Sequence, residues 1–484
     1  MDYFFVSGDK VRRFYEAPKG VDLEVRSYVE RPGAVRDGTP FFLGPDMRPV
    51  EPLCSFFFEL SKSLVAKTLA DYTYDILDLL DFLGQLDPPL DLLSATEDDL
   101  VAYRDDRTQH QDVPISAGTW QRRRAAINNF YDWAVYDGLL PRRPYHRRRN
   151  GRDVLAWGST TELDVRHLTF VQWRFLKQVG LRGLLPGDRA DRSFRGAAPL
   201  RNSAAGELAV TTGMRLREFT SLLDIEVGPP RRDAAPVDVK LQAIAKYGLP
   251  RTVSIQDPTM RELDLYRRTE RAAVVRAAAR TLYTRREDWF VVDDINMRQM
   301  RLGGILRGRR RSFRIEQMPA PLRRITMIEG DGGLEPMALF VGRGGRMPSK
   351  SRWEQVFADA HERTLRISEE HQLGPVMPGQ FRIHDTRHTF AVCMLQQLTQ
   401  MVLAEEAERI RSGGHGGYLA DHISRNPLLI VQRLLGHRQP SSSMRYLRYI
   451  RETNVLVTRA LEEWNDRDTS YADYAALLMG GRAA

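Results

Sequence analysis

His384-Asp385-Thr386-Arg387-His388-Thr389-Phe390-Ala391 is the stretch on which the reading of this chain turns. Phe390, Val392 and Leu395 continue it at helical spacing, so it reads as the start of a helix with a polar first turn and an apolar remainder. His384 and His388 stand at i and i+4, on one face of such a helix. That spacing alone admits a zinc site of the His-Glu-x-x-His kind with Asp385 in place of Glu. Asp is short for the usual general base, however, and no clear third-ligand motif follows. A zinc site would also leave the rest of the chain's motifs unexplained.

Downstream lies Leu434-Leu435-Gly436-His437, with Tyr446 nine residues after the histidine. Asn426-Pro427 opens a helix that buries Leu428, Ile430, Val431 and Leu434, and Gly436 is placed to end it. Upstream lies Thr212-Gly213-Met214-Arg215-Leu216-Arg217-Glu218-Phe219. Between the two, Val237-Asp238-Val239-Lys240-Leu241 and Arg251-Thr252-Val253-Ser254-Ile255 read as a β-hairpin, with Lys246 beside its Tyr247-Gly248-Leu249-Pro250 turn. Each island has a plain reading by itself. Gly213 and Gly436 are what any helix C-terminus shows, a lysine beside a turn is solvated, and Tyr446 with Tyr449 at three-residue spacing is core.

Taken together and in this order, the islands resemble the tyrosine recombinase (phage integrase) family over roughly residues 60–455. The resemblance implies site-specific cutting and rejoining of double-stranded DNA, without metal or ATP, through a 3′-phosphotyrosine. It implies a homotetramer on two duplexes, with room for an accessory DNA-bending protein and no membrane role. Carried over position by position, Arg215 and Arg387 match the two catalytic arginines, Glu218 the acidic residue supporting the first, and Lys246 the hairpin lysine. His384 and His437 match the two histidines, and Tyr446 the nucleophile. Lys246 sits in Ala-Lys-Tyr-Gly where the family more often has Gly-Lys-Gly, so Lys240 stays open as the alternative. Tyr449 is the fallback nucleophile; His388 reads as structural, and Arg217 carries no assigned role. The chemistry suits these residue types. Guanidiniums clamp the non-bridging oxygens of a pentacovalent transition state and stay charged. Imidazoles move protons near neutral pH. An amine can protonate a leaving 5′-oxygen.

The rest of the sequence frames these islands. Lys plus Arg is 72 against 63 Asp plus Glu, a net +9 with clustered arginine, which points to a polyanionic partner. The two cysteines, Cys54 and Cys393, exclude a disulfide scaffold and fit a reducing cytoplasm, here a nucleoid-associated one. No apolar run reaches membrane length, and no secretory signal is expected. The expected fold is mainly α with a small antiparallel β-sheet. Residues 1–55 form an extension of unassigned role, and 56–145 a helical core-binding (SAM-like) DNA-binding domain. A basic linker at 146–160 leads to a catalytic domain at 161–467, with insertions near 275–335 and 404–426 and a tail at 468–484. The 275–335 stretch reads as irregular and Arg-rich. Arg122, Arg123, Arg147, Arg148 and Arg149 are the expected DNA-binding residues, and the segment after Tyr446, with the apolar stripe at Leu456, Ala460, Leu461 and Trp464 and a second apolar stretch from Tyr471 to Met479, is expected to dock on a neighbouring protomer. Telomere resolvase-like or type IB topoisomerase-like strand transfer, and a catalytically silent DNA-binding relative, are the competing readings.

Overall fold

A computed structural model of the chain describes residues 1–7, 35–146, 153–156, 165–412 and 425–449. It divides into two units, Met1–Glu162 and Leu163–Ala484. It is mainly helical with small sheets, and no helix among the described residues is long and apolar enough to cross a membrane.

The first unit is built on helices Leu53–Ser61, Ala66–Gly84, Glu97–Asp105 and Ala117–Tyr136, with a short antiparallel pair, Asp2–Phe5 and Pro40–Leu43. Leu69, Ile76, Leu79 and Leu83 recur at helical spacing and become the buried face of the second helix. They meet Tyr103, Trp120, Ile127, Phe130 and Tyr131 in one core. Each large side chain removed from water there contributes roughly 1.5–3 kcal/mol. Thr96 and Asp99 close a capping box, two residues later than the Ser94–Glu97 box that the sequence suggests, and the Ser116 hydroxyl accepts from the Thr119 N–H. Part of the segment expected as linker belongs to this core. Leu155 is fully buried, its carbonyl accepts the Trp120 indole N–H at 2.8 Å, and Asp153 takes a two-point ion pair from Arg124.

The second unit has its main core around Leu208, Phe219, Leu222, Val239, Ile255, Leu263, Phe340, Trp353 and Phe357. The hairpin forms with the strands expected, in antiparallel register from Val237↔Ile255 to Leu241↔Arg251. Helix Pro199–Thr212 packs on its second strand, helices Asp257–Tyr266 and Asp385–Arg411 pack on that helix, and Lys350–His371 supplies Trp353 and Phe357 to the core. Residues 275–335 correct the sequence reading. Instead of an irregular stretch they hold the end of helix Ala272–Tyr283 and most of a five-stranded sheet. Its order is Gly333–Pro336, Thr326–Gly330, Phe290–Asn296, Arg301–Leu306, Arg309–Arg314. All neighbours are antiparallel except Thr326–Gly330 beside Phe290–Asn296, which are parallel. The strands hid behind glycine and arginine, which read as loop. Gly304 is in the fourth strand because a Cβ there would meet the Val291 backbone at 2.1 Å. Helix Asp385–Arg411 runs into the expected 404–426 insertion, whose residues 413–424, like the apolar stretches at Leu456–Trp464 and Tyr471–Met479, lie outside the described residues.

Candidate active site

Two helix ends deliver the site. Helix Pro199–Thr212 stops at Gly213, which adopts φ +62°. A Cβ at Gly213 would stand 2.4 Å from the Phe390 ring, so the chain carrying Arg215 and the helix carrying Arg387 approach closely only because this residue is glycine. Helix Pro427–Leu435, capped by Asn426, stops at Gly436 with φ +61° and releases His437.

Arg215, Lys246, His384, Arg387, His437 and Tyr446 line one cavity of about 600 Å³, with Gly436, His388, Arg438, Gln439, Ser442 and Arg445 completing its wall. Five of these twelve residues are Arg or Lys and none is Asp or Glu. Lys240 is on the exposed side of its strand and is not among them. Tyr449 is not among them either; its hydroxyl accepts the Val165 N–H at 2.8 Å and donates to the Val165 carbonyl at 3.0 Å. Arg217 is exposed, outside the cavity.

One carboxylate stands behind this cationic wall. Glu218 is fully buried. Its Oε1 accepts the Arg215 guanidinium at 3.0 Å, and its Oε2 accepts both the Arg215 backbone N–H at 2.7 Å and Arg251 at 2.5 Å. Arg251 also donates to the Leu435 carbonyl, one residue before Gly436. Arg387, 2% exposed, donates to the carbonyls of Gly213 and Leu435. Arg387 is thus fixed to the two helix ends, and Arg251 links the Leu435 end to Glu218, the anchor of Arg215. Burial first, then the Arg215 and Arg251 guanidiniums, push Arg387 down to about 9. Burial and Arg387 lower His384, and burial with Arg387 and Arg215 takes His437 to about 3. A cavity this rich in uncompensated cation stabilises an anion.

Tyr446 is 1% exposed, and burial raises its phenol against the opposing pull of Arg387 and Arg445. Its hydroxyl lies 2.9 Å from His388 Nδ1. His388, read from sequence as structural, is therefore on the cavity and against the phenol. Burial, then His384 and Arg445, hold it at about 3, so it is neutral at pH 7. His437 stacks on the Tyr446 ring at 6.4 Å, and its Nδ1 pairs with the Ser443 hydroxyl at 2.8 Å. The signal for His388 was present: i+4 from His384 on one helix puts both on one face, and their rings meet at 5.1 Å. Nothing local marked Arg251, whose carbonyl partner Leu435 is 184 residues away. Among the described residues no group of three His, Cys, Asp or Glu is placed to hold a metal ion.

Arg122 and Arg123, expected on DNA, are ion-paired within the first unit. Arg122 pairs at 2.6 Å with Asp75, which is buried, and Arg123 pairs with Asp78 and donates to the Tyr103 hydroxyl. Burial raises Asp75 to about 6 even against Arg122 and Arg123. These guanidiniums brace the first unit through those pairs. Arg147, Arg148 and Arg149 lie outside the described residues.

The model of the phage integrase N-terminal SAM-like domain matches residues 55–138. Residues 55–138 of the first unit are similar to an integrase-type SAM-like domain. The resemblance read from the motifs, which fall in the second unit, thus has an independent match in the first. Solved structures similar to the chain include the XerH site-specific recombinase bound to palindromic difH substrate, at 13% identity over 87% of this chain and 86% of that one, TM-score 0.46. They also include the Tn1549 transposon integrase with transposon right end DNA, at 12% over 80% and 91%, TM-score 0.43. A third is a lambda integrase dimer bound to a COC′ core site, at 13% over 81% and 74%, TM-score 0.41. No curated protein matches the chain.

Proposed function

We propose that this protein cuts and rejoins DNA strands at specific sites through a 3′-phosphotyrosine on Tyr446, in the integration, excision or transposition of a mobile element. The observation carrying the reading is the single cavity into which Arg215, Lys246, His384, Arg387, His437 and Tyr446 converge, with no carboxylate on its wall among the described residues. The integrase-type domain at 55–138 supports it.

In this mechanism a scissile phosphodiester enters the cavity and supplies the missing negative charge. Arg215 and Arg387 hold its non-bridging oxygens, fixed in advance by Glu218, Gly213 and Leu435, so little reorganisation accompanies the transition state. The Tyr446 oxygen forms a bond to phosphorus and the bond from phosphorus to the 5′-oxygen breaks. The phenol proton passes to His388, which the phosphate's charge makes more basic than in the empty site. The 5′-oxygen takes a proton from Lys246 and leaves as a hydroxyl. His384 and His437 donate to the phosphate. The phosphotyrosine conserves the bond energy, so a 5′-hydroxyl from a second strand reseals the break without ATP. A tetramer on two duplexes gives four such sites, enough for exchange through a Holliday junction. Lys246 fits the acid role better than Lys240 because it lines the cavity and Lys240 does not.

The test is a suicide substrate made from DNA flanking the gene, nicked so that the cleaved end diffuses away, incubated with chelator and no nucleotide. A protease-sensitive covalent protein–DNA adduct is expected. Tight binding with no adduct would overturn the reading in favour of a silent DNA-binding relative. On intact duplex, which keeps its 5′-hydroxyl end, resealing of only the cut strand with no exchange between duplexes would favour topoisomerase-like strand transfer.

A further inference from the structure

The five-stranded sheet ends on a strand that the mechanism does not use. Seven of the seventeen residues from Arg298 to Arg314 are arginine, and none is Asp or Glu. Arg298, Arg307, Arg309, Arg310, Arg311 and Arg314 are exposed. Arg310 pairs with Asp293 across the sheet at 3.0 Å, whereas Arg309, Arg311 and Arg314 have no ion pair or side-chain hydrogen bond among the described residues. Alternation sets Arg309 and Arg311 on one face of the strand and Arg310 and Arg314 on the other, so the edge is cationic from both sides. Guarding a sheet edge against another strand takes a charge or two. Setting several uncompensated guanidiniums side by side adds mutual repulsion to the free protein, which a polyanion would offset.

The strand is also tied to the site. Just beyond Arg314, the Ile315 carbonyl accepts from the fully buried Arg323, and the Glu316 carbonyl accepts the Ala243 N–H at 2.9 Å, three residues before Lys246. The strand leading away from that clamp, Arg314 back to Arg309, spans about 17 Å. That length matches about five base-pair steps of duplex at ~3.4 Å each.

We infer that the arginine edge strand Arg309–Arg314 grips the phosphate backbone of duplex DNA beside the cleaved phosphate. This rests on the reading of the cavity as a DNA phosphodiester site. The surface reads no bases; it sets affinity and the footprint of the protein on its duplex.

The test combines a salt titration of duplex binding with adduct formation, comparing the full-length protein with an Arg309→Ser/Arg311→Ser/Arg314→Ser variant and with the corresponding triple Lys variant. Three lost phosphate contacts should make the slope of log affinity against log salt shallower by about 2.7. The Lys variant should keep the wild-type slope, and both variants should form adduct once DNA is saturating. An unchanged slope in a Ser variant that still forms adduct would overturn the inference and leave the cavity reading standing. Self-association of the Ser variant with an unchanged slope would assign the arginines to edge protection instead. Absence of adduct in the wild-type protein is failure of the cavity reading itself. If the Ser variant does not fold, hydroxyl-radical footprints of the wild-type and Lys proteins decide: protection ending at the cleaved phosphate, with none over the next five steps, would overturn the inference.

Discussion

Glu218→Gln isolates the charge logic of the site. Among the described residues Glu218 is the one carboxylate that Arg215 and Arg251 share, and Arg387 beside them is anchored on backbone carbonyls alone. Glutamine keeps the shape and can still accept the Arg215 backbone N–H, but it leaves three largely buried guanidiniums with no counter-charge. Removing one partner of a buried ion pair costs about 3–5 kcal/mol, and a retained neutral hydrogen bond returns about 1 kcal/mol. The DNA-free variant should therefore lose about 2–4 kcal/mol, which is roughly 3–6 °C in Tm for a unit of this size. Bound DNA supplies the negative charge that the variant lacks, so saturating duplex should narrow the gap between variant and wild type. Differential scanning calorimetry with and without duplex measures both. A variant melting within about 2 °C of wild type without DNA, or a gap unchanged by DNA, would refute the assignment of Glu218 as the counter-charge of this cluster.

Three further outcomes follow from the same geometry. Gly213→Ala combines a left-handed residue with a Cβ 2.4 Å from the Phe390 ring, so it should cost about 2–4 kcal/mol and slow adduct formation, read by denaturant unfolding and by single-turnover kinetics. His388→Asn should leave duplex affinity intact and slow adduct formation on the order of 10²-fold or more, with an altered pH profile; an equal loss of affinity and rate would mark a merely structural role. His388 and His437 titrate near 3 in the folded, DNA-free protein and near the ordinary 6.5 when unfolded. Between those values the unfolded chain binds more protons, so stability is full above pH ~6.5 and falls as pH drops below it. Duplex binding should take up protons and flatten that fall, as urea midpoints at pH 5.5 and 7.5 would show.

Much of this was legible in sequence because it is local. Asn426 before Pro427, Gly436 after Leu435 and the period-2 strands on either side of Lys246 each specify their own geometry within a few residues. The convergence of Arg215, Lys246, His384, Arg387, His437 and Tyr446 was legible only through a family resemblance, since nothing in spacing brings positions 215 and 446 together. What escaped depends on distant partners. Arg251 looks like an exposed strand residue until Leu435 and Glu218 close on it. Arg122 and Arg123 look like a phosphate-binding run until Asp75 and Asp78, a helix away, take them. The five-stranded sheet was masked by arginine and glycine on strands whose fit comes from neighbours, as Gly304 against Val291 shows.

The most direct measurement is mass spectrometry of the trapped adduct after nuclease and trypsin. Trypsin cuts after Arg445, Arg448 and Arg451, which separates Tyr446-Leu447-Arg448 from Tyr449-Ile450-Arg451. The nucleotide phosphate should be on the peptide holding Tyr446 and should vanish in Tyr446→Phe. Its presence on Tyr449, or on any serine or histidine of the cavity, would contradict the proposed chemistry.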